Sequence, residues 1–291
     1  MNGGAAAALE HAFRRRRTQR RQATLGYGAL LTLCLFASAT VSEVSPSALW
    51  AGAPRIGQYF SKLAPDLRWH VLLAGPETEG ALSYWMYRIR SWSWLLFETS
   101  QMALLATLAG ALLGGLLSFL AAANLAPNRV IYFGCRRLLE LFRCVPDIVY
   151  ALILVWAFGV GPLAGILAIA LHTVGAVGKL FAEVVENCDM RPWEGVVAAG
   201  GSWAQAVRYA IAPQVAPSFL SYLLVRFEIN VRGATVIGFV GAGGIGQELY
   251  SVISFSYYQE ISAIVVLIVL TVSGIDLFSE WVRRRAIGVA P

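Results

Sequence analysis

Four stretches of this chain, residues 22–42, 99–128, 148–178 and 261–275, contain no Asp, Glu, Lys or Arg. About twenty consecutive apolar residues cross a bilayer as a helix. A backbone with no water to bond to has few other ways across. The windows therefore predict an all-α, polytopic membrane protein. Composition agrees: 57% of the residues are hydrophobic and 14% charged, with mean hydropathy +0.62, whereas ordinary soluble domains are about a quarter charged.

The third window holds Gly159-Val160-Gly161-Pro162, a turn signal that divides it into a helix ending near Phe158 and another from Pro162 to about Glu186. Residues 213–240 are long enough for a further span, although they carry Arg226, Glu228 and Arg232. The expected organisation is a basic tail (1–23), a first span (24–42), an external loop (43–94) and a core (95–282), about six spans in all, then a short tail (283–291). Interfacial helices are expected in the loop at 56–63 and 82–90, among tryptophans and tyrosines that suit a headgroup belt.

The net charge of +6 raises the question of nucleic acid, but the arginines are distributed by topology. Arg14 to Arg17, Arg20 and Arg21 precede the first span, and Arg129, Arg136, Arg137 and Arg143 lie between the second and third. Arg191 and Arg208 flank the loop before the fifth, and Arg283 to Arg285 follow the last. With both termini cytoplasmic, all fall on the inner side, as the positive-inside rule requires. The implied partner is a lipid bilayer and not nucleic acid. The Arg-rich start with Ala37-Ser38-Ala39 also resembles a cleaved secretory signal. Its apolar stretch is longer than the usual one and more spans follow, so it reads as a retained helix. Cys34, Cys135, Cys144 and Cys188 form no CxxC pair, which indicates neither a disulfide framework nor a zinc site.

Three motifs test chemistry. Residues 241–246, GAGGIG, satisfy GxGxxG with Glu260 downstream, but a dinucleotide fold needs a short strand before the glycines and a βαβ unit around them. Here a membrane-length segment precedes them, so they read as a flexible, close-packed turn at the outer end of the fifth span. Residues 173–180, TVGAVGKL, lack the first Gly of a P-loop and the Ser or Thr after Lys179, so the chain does not bind ATP by itself. Gly200-Gly201-Ser202 with His172 invites comparison with a serine hydrolase. A surface-loop serine and a histidine inside an apolar helix do not form a nucleophile–base pair, and no paired acidic motif serves metal-dependent lipid chemistry. An enzyme is not expected.

Residues 226–235, RFEINVRGAT, place three ionisable side chains in one span, each costing roughly 2.5–3.5 kcal/mol at the bilayer centre unless partnered or hydrated. Glu228 and Arg232 stand four apart and can pair within the helix. Arg226 and Lys179 leave surplus positive charge, which an anion crossing low dielectric would need. His172 lies one heptad before Lys179, on nearly the same face; it reads either as a hydrogen-bonded core residue or as part of a path.

Residues 194–213, EGVVAAGGSWAQAVRYAIAP, form a patterned helix–turn–helix where a plain connection would be shorter. The loop resembles that of the inner-membrane permeases of bacterial ABC importers: Glu-Ala-Ala, three residues, Gly, nine residues, Ile, one residue, Leu-Pro. Glu194, Gly200 and Pro213 match at the right spacing, while Gly195 and Val196 replace the alanines, and Ala210 and Ala212 replace Ile and Leu. Over roughly residues 95–285, the phrases GVGPLAGILAIALHTVGAVGKL, GVVAAGG, RRLLELFR and YAIAPQVAPSFLSYLLVRFEINVRGATVIGFVGAGGIG are similar to the permease subunit of phosphonate importers, a branch that includes phosphite permeases.

The resemblance implies a homodimer in the inner membrane, two ATP-binding subunits that carry ATP and Mg2+, and a periplasmic phosphonate-binding protein. The expected coupling loop is 187–212, with Glu194, Gly195, Ala199, Gly200, Gly201 and Pro213 as its contact and turn residues. His172, Lys179, Arg226, Glu228, Asn230, Arg232 and Thr235 are the expected pathway residues, and Gly241, Gly243, Gly244 and Gly246 an outer gate. A permease for another solute, such as methionine or another amino acid, would share the loop but leave the Arg-rich span without a role.

Overall fold

A computed structural model describes residues 3–287, all of whose regular elements are helical. Two compact units divide the chain, Met1–Lys62 and Leu63–Pro291. In the first, α1 (Gly3–Val41) is a single 39-residue helix, about 58 Å long at 1.5 Å per residue. The expected boundary between tail and span at residue 24 is therefore not a structural break. Its membrane-competent portion is Phe13–Val41, along which Leu25, Leu31 and Phe36 lie exposed. Helix α2 (Pro46–Leu63) starts well before the interfacial helix expected at 56 and carries Pro54 inside it.

The second unit opens with a 3-10 turn at Trp69–Val71 and the short helix α3 (Leu82–Trp85). Helix α4 (Ile89–Ala121) begins earlier than the expected 95. Next come α5 (Arg129–Cys144) and α6 (Asp147–Phe158), which meet at a break over Val145 and Pro146. Helix α7 (Pro162–Glu186) has the expected bounds, with Pro162 in its first turn. The expected third span is thus a 12-residue apolar helix preceded by an amphipathic one, and both lie along α7. Pro146 cannot supply a backbone donor and disfavours helix in Val145 before it, which accounts for the break.

Two short helices, α8 (Arg191–Ala198) and α9 (Trp203–Ala206), precede α10 (Ala212–Ile237), then α11 (Gly244–Ser254) and α12 (Tyr258–Ile287). Residues 207–211 form a π-helical turn between α9 and α10. The span expected over residues 213–240 does not begin afresh at Pro213: one helical path runs from Trp203 to Val240, with Pro213 in the first turn of α10, and bends by 49° into α11. Among the described residues four helices are long and apolar enough to cross a membrane, and the bent pair makes a fifth. The six expected crossings are reached only by counting the short α6.

Small residues set the packing of α4 on α7. A Cβ at Gly110 would lie 2.6 Å from the Thr173 Cβ, and one at Gly114 would lie 2.8 Å from the Val174 carbonyl oxygen. Two helices approach this closely only where one presents no side chain. On the far side of α7, Gly175 admits the backbone of α5 at Leu139 and Phe142. Replacing Gly114 with Leu should force α4 and α7 apart at the usual overpacking cost of about 1–3 kcal/mol. Gly134→Leu, where a Cβ meets nothing within 4 Å, should be neutral. Thermal unfolding of the two variants in detergent checks this.

Candidate functional site

Threonines in α4 and α7 assemble a polar node inside the bundle. The Thr107 hydroxyl donates to the Ala103 carbonyl (2.6 Å) on its own helix, which spends its proton and leaves its oxygen free to accept. The Asn230 amide of α10 donates to that oxygen (2.8 Å) and to the Thr173 hydroxyl of α7 (3.0 Å). Thr107, Thr173 and Asn230 are 1%, 0% and 3% exposed. Each hydrogen bond is worth about 1 kcal/mol net, and an unpaired amide here would cost more. Asn230 therefore bridges three helices. The Arg226 Nε also donates to Thr173 (3.4 Å).

The α5–α6 break lies beside this node. His172, next in chain to Thr173, places Nδ1 3.0 Å from the Val145 carbonyl, so it binds the broken backbone as a half-buried structural group. Asp147 opens α6, and its Oδ1 accepts from the Ile148 N–H (2.9 Å). Arg226 is within electrostatic reach of both Asp147 and Arg143, and a Cβ at Gly233 would stand 3.4 Å from the Asp147 Oδ2. Residues from α5, α6, α7 and α10 thus converge on one interior region, where a helix N-terminus adds positive potential.

The ion pairing there is not the local one expected. The expected Glu228–Arg232 pair is not formed: the Glu228 Oε1 accepts from the Arg283 Nη2 of α12 at 3.2 Å. Helix α12 packs on α10 at this face, so a tertiary partner replaces the local one. Arg232 is left exposed on the surface of the protomer. Among the described residues, no carboxylate comes within ion-pair distance of Lys179, Arg226 or Arg232. Thr235 bonds only its own helix, through the Val231 carbonyl (3.3 Å).

The GAGGIG segment is close-packed, as expected, but only its first half is a turn. Gly241 and Gly243 are in positive-φ turns, but Gly244 begins α11 and Gly246 lies within it against the Thr235 carbonyl. The Ile245 N–H donates to the Thr99 hydroxyl of α4 (2.9 Å), and residues 242–246 are buried. The segment is a pinned corner.

At the opposite end of α4, helix α8 begins at Arg191, so Glu194 is its fourth residue; the Asp189 Oδ1 accepts from the Arg191 N–H (3.0 Å). The helix ends in a Schellman motif, with the Gly200 N–H on the Val197 carbonyl and the Gly201 N–H on that of Val196, both 2.9 Å. Gly200 has φ +82°, the left-handed conformation this motif asks of its first residue past the cap. Ser202 and Gln205 then form a reciprocal capping box for α9. This engages Ser202 locally, while His172 is bound to Val145.

The loop is tied to the bundle on two sides. Trp203 Nε1 donates to the Leu125 carbonyl at the exit of α4 (2.8 Å), and Gln214 Nε2 reaches the Asp189 carbonyl (3.1 Å). Ala122, Leu125, Val185, Ile211 and Val215 pack beneath it. Glu194, Gly195, Val197, Ala199 and Tyr209 remain exposed, around a shallow concavity of about 550 Å³ that Gly195, Ala199, Gly200 and Gly201 help to line.

Sequence reasoning missed Thr107, Thr173, Asp147 and Arg283. Thr107 and Thr173 are uncharged and sit in apolar helices, Asp147 was only the edge of an uncharged window, and Arg283 was counted as tail. Pro146-Asp147 directly after a basic amphipathic run was the available signal for the break.

A family described as "Binding-protein-dependent transport system inner membrane component" matches residues 114–286. The phosphite transport system permease protein PtxC of Stutzerimonas stutzeri is 35% identical over 264 residues, covering 91% of this chain and 88% of that one. The phosphate-import permease protein PhnE of Mycolicibacterium smegmatis is 37% identical, over 65% of this chain and 36% of its own. A protein of Escherichia coli K12 named as a cryptic phosphonate transport system permease, PhnE2, is 45% identical, over 42% and 99%. An inward-facing crystal structure of the MetNI methionine ABC transporter has the same fold, with TM-score 0.59 at 21% identity, covering 66% of this chain and 96% of that one.

Arg283→Gln should leave the half-buried Glu228 without its partner and destabilise the protein, by less than the roughly 3–5 kcal/mol of a fully buried pair because solvent reaches both groups. The double variant Glu228→Gln/Arg283→Gln should cost less than the sum of the singles. Thermal unfolding through a double-mutant cycle reads the coupling, and Arg232→Gln should show none with Glu228.

Proposed function

We propose that this chain, which belongs to the family of binding-protein-dependent transport system inner membrane components, is the permease through which a phosphorus oxyanion, phosphonate or phosphite, enters the cell. It is a transporter subunit, not an enzyme. The observation that carries the substrate reading is that Lys179, Arg226 and Arg232, all within spanning helices, have no carboxylate at ion-pair distance among the described residues. An anion in low dielectric costs many kcal/mol unless fixed charge offsets it, and Arg presents a planar fork of donors suited to phosphorus oxygens. Relatives named for phosphite, phosphate and phosphonate transport support the same class.

The pathway would run along α10, past Arg226, Asn230 and Arg232, with the α5–α6 break and Lys179 on its flank. Arg232 lies exposed on one protomer, and lipid is a costly neighbour for a guanidinium. A second copy that encloses it in a shared aqueous path resolves that cost, which supports a homodimer. Two ATPase subunits, holding ATP and Mg2+, would seat on the exposed face of residues 194–201. An external phosphonate-binding protein would deliver the solute at the opposite face, with the GAGGIG corner close to that entrance and both termini in the cytoplasm. Closure of the ATPases would push a loop that Trp203 ties to the exit of α4 and Gln214 ties to α10, and the continuous helix from Trp203 through α10 would carry the displacement to Arg226. Access would alternate between the two sides as α10 moves.

Phosphorus NMR of the medium around cells that express the chain with its ATPase and binding protein tests this. Of an alkylphosphonate, phosphite and phosphate supplied together, selective loss of an oxyanion signal is expected. Glu194→Lys and Arg226→Gln should each slow that loss at least about tenfold, as 1.4 kcal/mol of lost stabilisation would, while inserting normally. Unchanged uptake by Arg226→Gln would overturn the pathway, and unchanged uptake by Glu194→Lys the coupling role.

A further inference from the structure

At the end of α4 remote from the coupling loop, an aromatic pocket of about 430 Å³ is lined by Pro76, Tyr84, Trp85, Tyr87, Tyr257 and Glu260, among others. Its walls come from three places in the chain: the loop before α3, α3 with the residues after it, and the first turn of α12. The rings are fixed from behind. Trp85 Nε1 donates to the Gln259 carbonyl (3.0 Å) and to the Ser262 hydroxyl (3.1 Å), and the Tyr87 hydroxyl donates to the Glu260 Oε1 (2.8 Å). The Tyr87 ring stands edge-on to buried Trp92, with centroids 5.9 Å apart. Burial first, then the hydrogen bond to Glu260 and its charge, push the Tyr87 phenol above its ordinary pKa, so it stays protonated and donating.

The turn that brings Tyr257 to the pocket is strained. Ser256 has φ +59°, with its N–H on the Ile253 carbonyl (3.0 Å) and the Tyr257 N–H on that of Val252 (3.0 Å). This is a Schellman end with serine where glycine is the rule. Non-glycine residues in such conformations cluster at binding and switch sites.

Ring faces and a carboxylate both present negative potential and repel the oxyanions discussed above. They attract organic cations. A cation resting against a ring face lies inside the roughly 6 Å reach of the cation–π interaction. Among the described residues, Glu260 is the only charged group on the wall. Arg88, next to Tyr87, also acts on the Tyr87 phenol, but its charge is offset by Glu248 at 2.7 Å. The pocket also sits where α4 and α12 begin, at the ends of spanning helices, where headgroups lie.

We propose that this pocket binds an alkylammonium group, with Glu260 as its counter-ion and Tyr84, Trp85, Tyr87 and Tyr257 as its aromatic walls. The ammonium of a zwitterionic phospholipid headgroup and that of a soluble amine share this chemistry. The site is independent of the transported solute and of the coupling loop.

Native mass spectrometry of the full chain in neutral detergent separates the sources. The chain is offered phosphatidylethanolamine and phosphatidylglycerol with the same acyl chains, and separately ethanolamine alone. Preferential retention of phosphatidylethanolamine is expected, weakened about fivefold or more by Glu260→Gln, which keeps an acceptor for Tyr87, and by Tyr84→Ala. Retention of ethanolamine without the lipid, with the same sensitivity, supports the site and assigns a soluble ligand. Equal retention of both lipids with no ethanolamine bound, or binding that neither variant changes, overturns it. Circular dichroism of both variants, matched to the parent, excludes loss of fold as the cause.

Discussion

The contact between α4 and α7 is the constraint from which the rest of the second unit is built. In lipid there is little hydrophobic gain in bringing two apolar helices together, so close backbone approach and buried hydrogen bonds must supply the cohesion. Gly110 and Gly114 permit that approach to α7, and the same helices present Thr107 and Thr173 side by side for Asn230. Thr99, two turns earlier in α4, pins the start of α11 in the same manner. Each threonine bonds outward only because α4 and α7 are already fixed. The placement of α10, and of its charges, follows from theirs.

That placement sets up the functional asymmetry. Glu228 is claimed by Arg283, so the acid that could have neutralised Arg232 faces away. Unpaired cations within spanning helices are costly unless water or something of opposite charge meets them. At the other end, the proposed coupling loop has a hydrogen-bonded turn, an apolar base and an exposed outer face. These properties suit an element that must transmit force: stiff toward the bundle, open toward a partner. The fold likeness to an amino-acid importer at 21% identity speaks to this architecture and not to the solute.

Much of the architecture was legible in the residues themselves. Helix α7 has the bounds expected from Gly161-Pro162 and its polar end, and the Gly200-Gly201 break was readable because a left-handed residue followed by a tight approach calls for glycine twice. The Glu228–Arg232 expectation failed for a physical reason: spacing along one helix names a possible partner, while the partner chosen depends on which helix packs alongside. Asn230 was singled out with the charged residues, but its threonine partners carry no signal in an apolar run. The continuity from α9 to α10 was hidden because Pro213 is as compatible with a first helical turn as with a restart. The early start of α4 was hidden because Arg90 and Glu98 interrupt the apolar count without interrupting the helix.

The central claim is that a phosphorus oxyanion is held by guanidinium groups of α10 during its passage. The most direct measurement is solid-state NMR dipolar coupling between phosphorus in a bound phosphonate and nitrogen-15 in the arginine side chains of the assembled importer, compared with Arg226→Lys and Arg232→Lys preparations. Dephasing that corresponds to hydrogen-bond distance, diminished in one or both variants, is the result expected. Full dephasing retained in both variants, or none in the parent, would contradict the account.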